Sequence, residues 1–167
     1  MNRDFPAYEQ LCRRIQATSS NTTNPYWAER IAIACVLYPN PAVDLHVADR
    51  FADTAVTLGS NQKDRLFYFQ ACKAMSSYRL GHYTEAITWA QKSLAGSAVY
   101  ASAQGCAVLS MANWRLGHPA EARQMLAKGE ALVPDNPGVN PYYGWWMDWL
   151  IARVEIDEAK ALVQSQL

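Results

Sequence analysis

The feature that most constrains this chain is an internal echo. YRLGHYTEAITWAQKSLA, starting at Tyr78, returns 36 positions later as WRLGHPAEARQMLAKGEA, starting at Trp114. Arg79, Leu80, Gly81 and His82 align with Arg115, Leu116, Gly117 and His118. Glu85 and Ala86 align with Glu121 and Ala122, and upstream Ala71 and Met75 align with Ala107 and Met111. A self-similar unit of this length is one supersecondary element that cannot bury its apolar face alone and must stack on neighbours.

Each unit reads as helix, tight turn, helix. The first helices are predicted over about Asp64–Leu80 and Ala101–Leu116. Gly81 and Gly117 stand where a helix has to stop, and glycine takes the left-handed C-cap conformation at little steric cost. Pro119 suits the first turn of the next helix, where its missing N–H is not needed. Ala86 and Ala122 are small where the two helices of a hairpin press closest. A more diverged unit precedes these: an amphipathic stretch over Trp27–Pro39, a Pro39-Asn40-Pro41 turn, then Val43–Leu58 with Leu45, Ala48, Phe51, Ala52, Ala55 and Val56 on one face. Asp4–Ala17 reads as an N-terminal helix, and Tyr142–Gln166 as a long final one after the proline-rich stretch 133–141. With no alternating apolar run and no Asn-Gly turn, no strand is predicted.

The expected fold is therefore all-α, an α-solenoid of antiparallel helical hairpins in a single domain, 1–167. Residues 1–24 form the N-terminal helix and linker, 25–60, 64–98 and 101–134 three repeats, and 141–167 a capping helix. At 167 residues, half of them apolar, the chain can build a real core.

The small residues Ala74 and Ser110, the aromatics Tyr78 and Trp114, the turn glycines Gly81 and Gly117, and Ala86 and Ala122 resemble the tetratricopeptide repeat. The spacing is 36 rather than that family's 34. The large aromatic it has early in the first helix is Gln70 here in one unit and Cys106 in the next. Thr22-Thr23-Asn24-Pro25, Cys35-Val36-Leu37-Tyr38-Pro39, Ala52–Gly59, Tyr78–His82 and Asp148–Arg153 together resemble the C-terminal tetratricopeptide region of multidomain serine/threonine protein kinases of planctomycete-type bacteria. That likeness implies a repeat module attached to a kinase. The kinase's own Gly-rich loop, HRD and DFG motifs are missing here, so the chain is not expected to be an enzyme.

Composition narrows the partners. Fifteen basic residues cancel fifteen acidic ones, which leaves no electrostatic footprint for nucleic acid or anionic membrane. No apolar run approaches the roughly 20 residues that span a bilayer. The opening MNRDFPAYEQ lacks the apolar centre of a secretory signal, and a cytoplasmic location is expected. Cys12, Cys35, Cys72 and Cys106 lie about one per hairpin, without the close pairs of a zinc site, and read as small apolar side chains at helix interfaces. His82 and His118 occupy equivalent turns and read as helix-end residues, so neither metal nor cofactor is expected.

The expected partner is a protein or peptide, with homo-oligomerisation as the alternative. In tetratricopeptide repeats the first helices of successive units line a concave groove. The resemblance places Tyr68, Met75, Tyr78 and Arg79 from one unit and Gln104, Met111, Trp114 and Arg115 from the next in that groove. Two arginines one repeat apart would hold a carboxylate or acidic peptide, so Arg79→Ala with Arg115→Ala is expected to weaken a ligand without unfolding the chain. The other reading makes Tyr78 and Trp114 core wedges and leaves the arginines solvated. Trp145, Trp146 and Trp149, with Tyr142 and Tyr143, either dock the last helix or form an exposed patch.

Overall fold

The computed structural model describes residues 5–18, 21–40, 43–134 and 145–165, excepting the side chains of Phe5 and Trp145. Among the described residues there are eight helices and no strand: α1 (Phe5–Thr18), α2 (Pro25–Val36), α3 (Leu45–Leu58), α4 (Leu66–Arg79), α5 (Tyr83–Ser93), α6 (Val99–Arg115), α7 (Pro119–Leu132) and α8 (Trp145–Gln164). The expected all-α class is thus observed. Stretch 135–141, Tyr142, Tyr143 and the ring of Trp145 lie outside the described residues.

Local chemistry sets the helix ends. Asn24 caps α2, its side chain accepting from the backbone N–H groups of Tyr26 and Trp27, with Pro25 in the first turn. Asp44 caps α3 in the same way through His46 and Val47. The turns after α4 and α6 are the same turn built twice. Gly81 has φ 81° and Gly117 φ 80°, the only positive values among the described residues. The His82 N–H donates to the Ser77 carbonyl at 2.9 Å, and the His118 N–H to the Asn113 carbonyl at 2.9 Å. A left-handed conformation costs a side-chain-bearing residue about 1–2 kcal/mol, and a Cβ on either glycine would meet no atom within 4 Å. Gly81→Ala and Gly117→Ala should therefore destabilise by about the same amount, roughly 1 kcal/mol each. Urea midpoints that differ widely between the two would show that the turns are not equivalent.

The helices pair as hairpins α2/α3, α4/α5 and α6/α7, and α2, α4 and α6 pack side by side as a row. The inner helices are small-residue helices. Ala71, Cys72, Ala74, Met75, Ser76 and Ser77 of α4 are buried, as is every residue of α6 from Ala103 to Ala112. A helix buried on all sides needs no amphipathic stripe, and its small side chains let neighbouring backbones approach. All four cysteines are free and buried. The last helix, α8, rests on α6 and α7 and turns Ile151, Ala152, Ile156, Ala159 and Val163 inward.

Between α3, α4 and α5 the buried Lys73 ammonium holds the carboxylates of Asp49 and Asp53, both at 2.8 Å, with Glu85 at 3.7 Å. Ser76 donates to the same Asp49 at 2.8 Å. A buried cation is tolerable only with such partners.

Candidate functional site

The predicted groove residues lie on α4 and α6, but most of them are closed to solvent. Met75, Tyr78, Gln104 and Met111 are buried. Arg79 is not a free groove cation. Its Nη2 donates to Glu158 Oε2 of α8 at 2.6 Å and to the Leu37 carbonyl at 3.1 Å, and its Nε to the Val36 carbonyl at 2.7 Å. The equivalent Arg115 is exposed and bonds the Tyr78 phenol. Trp114 is half-buried with the Arg123 guanidinium 5.6 Å from its ring centre. The echo therefore places Arg79 and Arg115 at equivalent backbone positions in unlike surroundings. The difference is that Glu158 of α8 bonds Arg79 directly, while Arg115 feels the same carboxylate only at longer range.

Side chains of α8 span the row. Arg30 of α2 donates to Asp148 Oδ1 at 2.9 Å and lies 3.0 Å from Glu29 Oε2. Glu155 is 1% exposed and neither carboxyl oxygen has a hydrogen-bond donor. Burial, opposed only in part by Arg79, pushes its carboxyl well above the usual range. Burial also lifts Glu29 to about 7, with Arg30 opposing and Asp148 adding to the rise. At the outer edge Lys160 pairs with Glu130 of α7 at 2.8 Å.

What α8 leaves open is a cleft of about 880 Å³ at the end of the row where α2, α4, α6 and α8 begin. Its walls include Tyr26 and Arg30, Arg65 and Tyr68, Val99 and Tyr100, and Trp146, Met147 and Asp148. The Arg30 and Arg65 guanidiniums lie 5.4 and 5.6 Å from the Tyr26 ring centre, within cation–π range. Arg65 has no carboxylate partner among the described residues, whereas Arg30 is committed to Glu29 and Asp148. Of the eight large apolar side chains left exposed among the described residues, Tyr26, Val99, Trp146 and Met147 are on this cleft, and Trp27, 59% exposed, packs edge-on against Tyr26. Trp27 also lines a shallower hollow with Ile15, Thr22 and Ile31.

The tryptophans of α8 divide between the two roles left open by the sequence. Trp149 is half-buried and donates to the Pro134 carbonyl at 2.9 Å. Trp146 is 38% exposed on the cleft. Of the predicted groove residues only Tyr68 belongs to the cleft. Most of the other contributors stand at or near helix starts, with Leu132 and Pro134 from the end of α7, and the uncapped starts of α4 and α6 leave no side-chain signature in the sequence. Asn24-Pro25 was a visible helix start, and the aromatics immediately after it were the available clue.

Among the described residues no helix is long and apolar enough to cross a membrane, and no group of three or more His, Cys, Asp or Glu side chains is placed to hold a metal ion. No protein-family model, curated protein or solved structure matches this chain.

Proposed function

We propose that the chain is a partner-binding helical-repeat module of tetratricopeptide type, which engages a protein segment through the aromatic cleft at the start of α2, α4, α6 and α8. The observation that carries this reading is the concentration of exposed rings and Met147 around one concavity that also holds Arg65, which has no ion-pair partner among the described residues. Contiguous exposed apolar surface rimmed by polar groups marks interaction sites, and Trp, Tyr and Arg are the residues that dominate binding energy. A segment placing an apolar side chain between Tyr68, Tyr100 and Trp146 and a carboxylate on Arg65 fits this chemistry. The likeness to kinase C-terminal regions supports a regulatory or scaffolding role within a larger polypeptide.

The test is a displayed random-peptide library selected on the full chain, with the selected peptides titrated calorimetrically. Trp146→Ala and Arg65→Ala should each weaken binding by about tenfold or more and leave the melting temperature unchanged, while Arg115→Ala should not alter affinity. Loss with Trp114→Ala and Arg115→Ala instead would move the site to the inner row. Selected peptides indifferent to every one of these changes would end the cleft reading. Sedimentation at several concentrations reads the alternative, in which the exposed Trp27 and its neighbours join two copies of the chain.

A further inference from the structure

We propose that α8 is a proton-sensitive clasp, seated on the inner row while the acid-rich seam beneath it is protonated and loosened as that seam ionises. It regulates the cleft and so rests on the reading above, because Trp146, Met147 and Asp148 of α8 form one of the cleft's walls.

Where α8 meets α2 and α4, the side chains include four carboxyls: Glu29 from α2 and Asp148, Glu155 and Glu158 from α8. Two guanidiniums face them, Arg30 bonded to Asp148 and beside Glu29, and Arg79 bonded to Glu158. Glu155 is left in the middle with no donor to either oxygen. The other groups around it do not supply the missing cation. From α4 comes the buried thiol of Cys72, which feels both Glu29 and Glu155. Arg65, at the start of α4, acts on Glu29 and Arg115 of α6 on Glu158 from the exposed rim, and the Tyr78 phenol of α4 also faces Glu158, but Arg79 is the cation that acts on Glu155; buried Cys106 is the other titratable group on that stretch of α6. From α7 comes Glu130, already held by Lys160, and on the outer side of α8 itself Arg153 pairs with Asp157 at 3.2 Å.

A carboxylate without donors in a dry interface is expensive, so the seated state keeps Glu155 neutral. Ionisation places a second charge near Glu29 and Glu158 and favours any arrangement that returns these groups to water. The sign follows. The seated carboxyls titrate higher than solvated ones, so their favourable contribution to seating is complete below about pH 4.5. It declines as pH rises and is lost by about 7 for Glu29. Glu155 acts in the same direction. Full return of Glu29 to water on unseating would lower the seating constant by about a hundredfold across that window.

The experiment uses the full chain with a donor–acceptor dye pair on Thr57→Cys and Ala161→Cys, both exposed, since the native thiols are buried. A control pair on Thr57→Cys and Thr88→Cys reports on the body of the repeats. Between pH 5 and 8.5 transfer to Ala161→Cys should fall while the control stays constant. Glu155→Gln and Glu29→Gln should each reduce its amplitude, and Glu29→Gln serves alone if Glu155→Gln does not fold. A flat wild-type profile, a profile indifferent to both glutamine variants, or a control pair moving with the same midpoint would each overturn the clasp. Since neither dye pair reports on ligand, a flat profile beside intact peptide binding would remove the clasp and leave the cleft standing.

Discussion

Arg79→Ala should destabilise the chain by about 2–4 kcal/mol, while Arg115→Ala, at the equivalent place one repeat later, should change stability by less than about 0.5 kcal/mol. The Arg79 guanidinium closes three elements at once, bonding Glu158 of α8 and the last carbonyls around the end of α2. Breaking a buried pair from one side leaves the partner's charge uncompensated, which costs about 3–5 kcal/mol when both ends are buried. The Glu158 side chain is 25% exposed, so water recovers part of that loss and the lower range applies. Arg115 is exposed and has only the Tyr78 phenol and weaker, longer-range attraction to Glu158 to lose. Denaturant unfolding of the two single variants measures the contrast directly. Equal effects would mean that α8 does not sit where this structure puts it. The same contrast replaces the expectation that both arginines could be removed without harm to folding.

How much of this was legible beforehand follows from what kind of information each feature needs. The helix pairs and their turns are local. Gly81 and Gly117 are required by a left-handed φ, Pro119 by a missing N–H, Asn24 and Asp44 by side-chain caps, and each leaves its mark within a few residues. The predicted helices accordingly end within about three residues of the observed ones, the usual scatter of helix ends. The seating of α8 is not local. It depends on Glu155 and Glu158 meeting α2 and α4 across about 80 to 125 positions, and charged residues on a final helix carry the same sequence signature whether they face water or a seam. The periodic pattern did not distinguish Arg79 from Arg115 for that reason. The cleft was illegible for another. It is assembled mostly from the starts of several helices, so no single segment contains more than four of its residues.

The repeat also hides a compensation that predicts the second large effect. Phe69 is 1% exposed, and its ring occupies the place where a Cβ on Gly59 would stand, with Cδ2 only 2.5 Å from that position. Thirty-six residues on from Phe69 is Gly105, and there the arrangement is reversed. A Cβ on Gly105 would run into Leu94 and Ser93 at the end of α5. At the α3/α4 junction the inner helix supplies the bulk and the preceding helix end the space, and at α5/α6 the roles exchange. What the two junctions share is filled volume and not residue type, as close packing demands. Phe69→Ala should therefore cost about 3–5 kcal/mol, the range for deleting a buried ring that its surroundings do not refill. Gly59→Ala should also destabilise the wild type, because a buried ring has nowhere to move. The added methyl would crowd the Ala55 carbonyl as well, at 2.6 Å, and that part of the cost persists whatever stands at position 69. The discriminating quantity is the coupling: Gly59→Ala should cost less in the Phe69→Ala background than in wild type, by about 1–2 kcal/mol. Four urea titrations close the cycle. Simple additivity would show that ring and glycine do not share one space, and the exchange of bulk between the two junctions would lose its physical basis.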